Sequence, residues 1–122
     1  MFVSGQIPRI DGQLLAKGRL GEDVTLEVGR ECARQCASNV LGVIEQSCGS
    51  LDLVAQVLKL TVFVASTPTF EQHPDVADAA SDLFVEVLGE RGEHGRAAIG
   101  VASLPLGVPV EVEAVIAVRR DK

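Results

Sequence analysis

Gly95-Arg96-Ala97-Ala98-Ile99-Gly100-Val101-Ala102-Ser103-Leu104-Pro105, continued by Val110-Glu111-Val112-Glu113-Ala114-Val115-Ile116-Ala117-Val118, is the stretch on which the reading of this chain turns. Val, Ile and Ala dominate it, and its polar residues fall at strand ends or on one alternating face. That pattern predicts two strands joined by a turn around Pro105 and Gly107. Arg96 stands at the entrance of the first strand, and Glu111 and Glu113 lie early in the second. An arginine so placed can grip a carboxylate with two parallel hydrogen bonds. A glutamate opposite it can hold or polarise a water. Arg96 and Glu111 are therefore the candidate site.

Working outward, the preceding residues supply the other elements. Val54 to Ser66 alternates cleanly, with Leu58, Leu60, Val62 and Val64 set on one face and Lys59, Thr61, Phe63 and Ala65 on the other. Between Val24 and about Cys48 the period lengthens to that of a helix. Val28, Cys32, Cys36, Val40, Val43 and Ile44 form its apolar stripe, and Gly49 closes it as a cap. A second helix is expected from about Asp75 to Leu88, with Val76, Ala80, Leu83, Phe84, Val87 and Leu88 buried; His73-Pro74 reads as its start. Gly89 to Gly95 reads as a flexible loop that delivers Arg96. At the N-terminus Phe2 to Ile7 reads as a strand, Asp11-Gly12 as a tight turn, and Gln13 to Ala16 as a brief return strand.

The order strand, helix, strand, helix, strand, strand predicts an α+β two-layer sandwich, with two helices on one face of a mixed sheet. At 122 residues the chain makes one domain, 1–122. The sheet face left open carries Val115, Ala117 and Phe63 among its polar residues, which predicts self-association. A net charge of −6 and only four aromatic residues, all Phe, oppose a nucleic-acid partner. No apolar run has the length of a membrane span, and no secretory signal opens the chain. With three cysteines, an odd number, the expected compartment is the cytoplasm. Cys32 and Cys36 share the helical stripe and read as core residues. His73 and His94 do not complete a ligand set with them, so neither metal nor cofactor is expected.

With the elements placed, the chain resembles the YjgF/RidA family, also described as L-PSP endoribonuclease-like. The matching pieces are Ser4-Gly5-Gln6-Ile7-Pro8, Lys59-Leu60-Thr61-Val62-Phe63-Val64, and Arg96 to Val118 with its Leu104-Pro105 and Val110-Glu111-Val112-Glu113-Ala114. The resemblance implies a chorismate-mutase-like fold and a homotrimer with ligand clefts between subunits. It also implies hydrolysis of 2-imino or 2-enamino acids to 2-oxo acids and ammonia. Carried over by position, Arg96 binds the substrate carboxylate and Glu111 orients or activates the attacking water. Ser4 and Gly5 line the cleft, and the backbone of Ala98 helps hold the reacting group.

Some positions depart from the family pattern. The chain begins at the Ser-Gly-Gln-Ile-Pro strand, whereas the resemblance implies a preceding segment with a cleft tyrosine; the chain contains no tyrosine. Ala98 stands in place of a cysteine, Asp78 in place of an asparagine, and His94-Gly95 in place of a Pro-Ala pair. His94 reads either as a cleft residue or as a loop histidine. These departures keep a second reading open, a binding protein of the same fold without the chemistry, and a third, less favoured one, a ribonuclease.

Overall fold

The structure is a computed structural model that describes residues 1–120. Its main sheet has four strands in the order β1-β6-β4-β5, where β1 is Phe2–Gln6, β4 Val54–Ala65, β5 Gly95–Val101 and β6 Val110–Val118. β4 pairs in parallel with β5 and antiparallel with β6, and β6 pairs antiparallel with β1. Two short strands, β2 (Arg9–Ile10) and β3 (Gln13–Leu14), form a separate hairpin. Its turn uses positive φ at Asp11 (53°) and Gly12 (79°), the combination that follows the right-handed twist of the flanking strands.

Both helices, α1 (Leu26–Cys48) and α2 (His73–Leu88), cover one face of the sheet. α1 starts where Thr25 Oγ1 accepts the Val28 N–H at 3.2 Å, relieving one of the unpaired donors of the first turn. It stops at Gly49, whose left-handed φ of 92° a side chain would resist. α2 carries Pro74 in its first turn, where the missing N–H has no helical acceptor to lose.

The core is built from small and branched residues. Gly29, Cys32, Ala33, Cys36 and Ala37 on α1 bring that helix close to Val110, Val112, Ala114 and Ile116 of β6, and Phe84 on α2 is fully buried. Each fully buried Val, Leu, Ile or Phe contributes about 1.5–3 kcal/mol. The buried edge of α1 runs through Gly29, Ala33, Ala37 and Leu41, while Val28 and Val43 sit only partly covered at its border. Cys32 and Cys36 are core residues, and burial pushes the Cys32 thiol up to about 11.

Three local expectations give way to the packing. Leu58 faces outward: Val57 opposes Ile116 and Lys59 opposes Val115, so Leu58 is the extra residue of a bulge and alternation restarts after it. Val87 is also exposed, because α2 turns its buried face through Ala77, Ala80, Phe84 and Leu88.

The third concerns Gly89–Gly92, which is a packed 3₁₀ turn rather than a flexible loop. Gln56 Nε2 donates to the carbonyls of Glu90 and Glu93, at 3.1 and 2.6 Å. Arg91 Nη1 donates to the Val54 carbonyl at 2.6 Å. Gly92 lies so close to α2 that a Cβ there would stand 2.2 Å from the Phe84 carbonyl oxygen.

Candidate functional site

The turn at Pro105–Gly107 joins β5 to β6, yet these strands do not pair; β4 lies between them. Arg96 registers with Leu60, which is buried under the helices, and Glu111 registers with Phe63 on the open face. The two predicted site residues therefore point to opposite sides of one sheet. Period-two alternation on each strand dictates this once register is known. The site falls into two halves.

The first half is at the edge strand β5, on the helix side. Arg96 Nη1 donates to Asp78 Oδ1 at 2.8 Å and to Ser81 Oγ at 3.2 Å, both on α2. Residues 78 and 81 are three apart and so share one face of the helix. Ser81 Oγ and His94 Nε2 are 2.8 Å apart, and His94 Nδ1 lies 2.5 Å from the Gly92 carbonyl oxygen. A carbonyl only accepts, so Nδ1 carries the hydrogen. Nε2 of the neutral ring is then the acceptor, and Ser81 is the donor to it. The chain of bonds is thus directed: Arg96 to Ser81, Ser81 to His94, His94 to Gly92. The Phe84 ring meets the imidazole edge-on at 6.0 Å between centroids.

Arg96 keeps much of its donor capacity. Among the described residues only Nη1 has a protein partner, leaving Nε–H and both Nη2 hydrogens for a ligand. Its pair with Asp78 is no strong competitor, since the Asp78 side chain is 50% exposed and such pairs are worth about 0–1 kcal/mol. Ala98 registers with Val62 and packs its methyl against the core, so at that position only the backbone can face a ligand.

The second half is on the open face, where β1 meets β6. Glu111 lies against the backbone of Gly5: a Cβ on Gly5 would fall 1.9 Å from Glu111 Oε2. Glycine at position 5 is what admits the carboxylate. Burial, and next the charge of Glu113, hold the Glu111 carboxyl above the ordinary glutamate value. Ser4 is exposed on the same strand as Gly5, and its carbonyl accepts from Gln6 Nε2 at 3.1 Å.

The structure thus brings Arg96, Asp78 and His94 together with Ser81, and separately Glu111 with Gly5 and Ser4. Ser81 was not singled out from sequence; its i, i+3 spacing from Asp78 was the available signal. A cavity of about 390 Å³ opens at the far end of β5, around Ser66, His73 and Gly100, and takes in none of the predicted site residues.

Two helices on one face of a four-stranded mixed sheet define an α+β protein of the chorismate-mutase-like class. The chain belongs to the YjgF family: residues 1–115 match the family model described as "YjgF/chorismate_mutase-like, putative endoribonuclease". It is 44% identical to Protein TCP17 of Trypanosoma cruzi over 117 residues, covering 95% of this chain and 73% of that one. It is 26% identical over 114 residues to a 2-iminobutanoate/2-iminopropanoate deaminase of Dermatophagoides farinae, covering 93% and 80%. Among solved structures, the Agrobacterium tumefaciens protein Atu1372, of unknown function, superimposes with a TM-score of 0.94 at 40% identity, covering 96% and 74%. Escherichia coli TdcF with bound serine does so with a TM-score of 0.64 at 27% identity, covering 98% and 80%.

Proposed function

We propose that this protein binds a small carboxylate compound in a cleft between copies of the chain and hydrolyses 2-imino or 2-enamino acids to 2-oxo acids and ammonia. The observation that carries this reading is Arg96: a partly shielded guanidinium at a sheet edge, fixed by Asp78 and Ser81 through one nitrogen and left with an outward donor edge. A planar fork of N–H groups matches a carboxylate in both geometry and charge. Glu111, with its proton held more tightly than usual, suits the task of orienting and activating a water. Arg96 and Glu111 cannot reach one small molecule through the sheet that separates them, so a second copy must bring its Glu111 face to the first copy's Arg96. Apolar residues on that face and at its rim, with Phe2 85% and Ile99 43% exposed, favour such an assembly, which the family resemblance makes a trimer.

The chemistry rests on positioning. The carboxylate on Arg96 fixes the substrate, water adds to the C=N carbon, and ammonia leaves. The likeness to a named imine deaminase supports the reaction class. A second reading, binding without turnover, draws on Asp78, which already occupies one face of the arginine. Hydrolysis of 2-iminopropionate, generated in situ from alanine by an oxidase, tests both. Arg96→Ala loses two charge-assisted hydrogen bonds, about 3 kcal/mol together, which weakens pyruvate binding and kcat/KM by roughly 150-fold. Pyruvate binding that depends on Arg96 in a wild type without hydrolysis would instead make this a binding protein.

A further inference from the structure

The one buried polar residue among the described residues stands at the foot of the cavity beyond β5. Ser66 is 8% exposed, and with Arg19, His73 and Gly100 it lines the space of about 390 Å³. We infer that this cavity is a second ligand site, separate from Arg96, for a small organic molecule that carries an oxyanion. Its volume falls in the range of small-molecule pockets, roughly 300–1,000 Å³.

A directed pair of bonds leaves one donor facing this space. Ser66 Oγ donates to the Val64 carbonyl at 3.2 Å, and a carbonyl can only accept. The Ser66 hydrogen is therefore spent, and in the 3.3 Å contact between Ser66 Oγ and His73 Nε2 the imidazole is the donor. That contact is longer than the ordinary span of about 2.7–3.2 Å, so Nε2–H lacks a close acceptor. The Phe70 ring, edge-on at 5.1 Å between centroids, holds the imidazole in place. Beside it Gly100 keeps a cradle open. A Cβ there would stand 2.5 Å from His73 Nε2 and 3.0 Å from Ser66 Oγ. An acceptor atom entering the cradle comes within hydrogen-bond reach of Nε2–H.

The rest of the polar wall also donates. The Val101 carbonyl accepts the Ser66 N–H at 3.0 Å, so Val101 turns its backbone groups to β4, and alternation turns those of Gly100 to the free edge of the sheet. Among the described residues, the Arg19 side chain meets only Glu22, through Nε and Nη2 at 3.0 and 2.5 Å, which leaves both Nη1 hydrogens. The loop that carries Arg19 is tied to the end of β4: the Leu20 N–H donates to the Ala65 carbonyl at 2.9 Å, and the Leu20 carbonyl accepts from Thr67 at 3.0 Å. Among the described residues no carboxylate lines the cavity, although the chain carries a net charge of −6. Donors without a competing acid select a negatively charged acceptor group, and Pro68, Phe70 and Val101 give its carbon frame an apolar wall. Carboxylate and phosphate share this chemistry, and the test separates them.

The chain has two histidines, so imidazole NMR on the full chain reads the site directly. The His73 signals, identified as those missing from His73→Ala, are followed as inorganic phosphate or acetate is added at constant ionic strength. In Arg96→Ala, which removes the other anchor, His73 should shift saturably with a Kd of about 10 mM or tighter, while His94 stays put. A response to phosphate alone makes the ligand a phosphate ester, to acetate alone a carboxylic acid, and to both an oxyanion of either kind. Arg19→Gln, on an exposed side chain, should weaken binding about tenfold or more, the loss of a charge-assisted hydrogen bond. Gly100→Ala fills the cradle and should abolish the shift; should that variant not fold, Arg19→Gln decides. No saturable shift with either anion overturns the proposal. Binding that Arg19→Gln leaves unchanged overturns it too, as an adventitious ion only. A shift present in wild type and lost in Arg96→Ala would belong to the site already described, and also overturns it.

Discussion

One substitution, glycine to alanine, should act with opposite sign at two places in this chain. At Gly92 the added Cβ would meet the Phe84 carbonyl oxygen at 2.2 Å, its carbon at 2.6 Å and the Val85 nitrogen at 3.1 Å. Both partners are backbone of α2, so neither can swing aside as a side-chain tip would. Overpacking of this kind costs about 1–3 kcal/mol, and a clash with backbone belongs near the upper end. Against it stands the smaller conformational freedom of alanine in the unfolded chain, about 0.4–1 kcal/mol. The net is a loss of about 2 kcal/mol, or roughly 8 °C in Tm for a domain of this size.

Gly42 gives the contrast. It is exposed in the middle of α1, and a Cβ there meets nothing within 4 Å. Alanine at that position should stabilise by about 0.5–1 kcal/mol and raise Tm by roughly 2–4 °C. Scanning calorimetry on both variants, with urea titration as a check, reads the two signs directly. A Gly92→Ala protein as stable as the wild type, beside a stabilised Gly42→Ala, would refute the packing described for the 3₁₀ turn. It would equally remove the reason why His94 is held where it is.

Two further outcomes follow from the packing of the core and of the open sheet face. Phe84→Ala empties the largest fully buried side-chain site in the core and should cost about 3–5 kcal/mol, read as a fall in urea midpoint at unchanged m. Glu111→Gln tests the carboxyl pressed on Gly5. Its raised pKa means that the folded wild type holds this proton more tightly than the unfolded chain. The wild type therefore loses stability as pH climbs from about 4.5 through the raised folded value. The variant should gain on it across that window by a few tenths of a kcal/mol, the size for a largely solvent-screened group. A gap that does not change with pH would mean the carboxyl is not perturbed.

The layers of this fold were legible because the periods are strong. Alternation in β6 and the three-to-four-residue steps in α1 and α2 each name a buried face without help from the rest of the chain. What alternation could not give was register. Nothing local says that β4 inserts between β5 and β6, so the placing of Arg96 and Glu111 on opposite faces emerges only from strand order. Bulges are equally silent: Leu58 alternates correctly on paper, and only its lack of a partner on β6 turns it outward. The site was legible as residue types but not as groupings. Asp78 and His94 were candidates for a cleft on position alone, and Ser81, whose hydroxyl links His94 to Arg96, carries no mark in sequence beyond its spacing. The reading of residues 89–95 as flexible failed because glycine was taken as freedom, whereas Gly92 is there to let two backbones touch.

The division of the site across the sheet has a consequence for how activity depends on concentration. Each copy would lend its arginine to one cleft and its glutamate to another, so no chain owns a complete site. Dilution below the dissociation point of the assembly would then extinguish turnover while every domain stays folded. A copy damaged at Arg96 and a copy damaged at Glu111 could, by contrast, restore each other: where they adjoin in one orientation both intact halves meet. Function would be a property of the contact between chains, inherited by neighbours rather than by individuals.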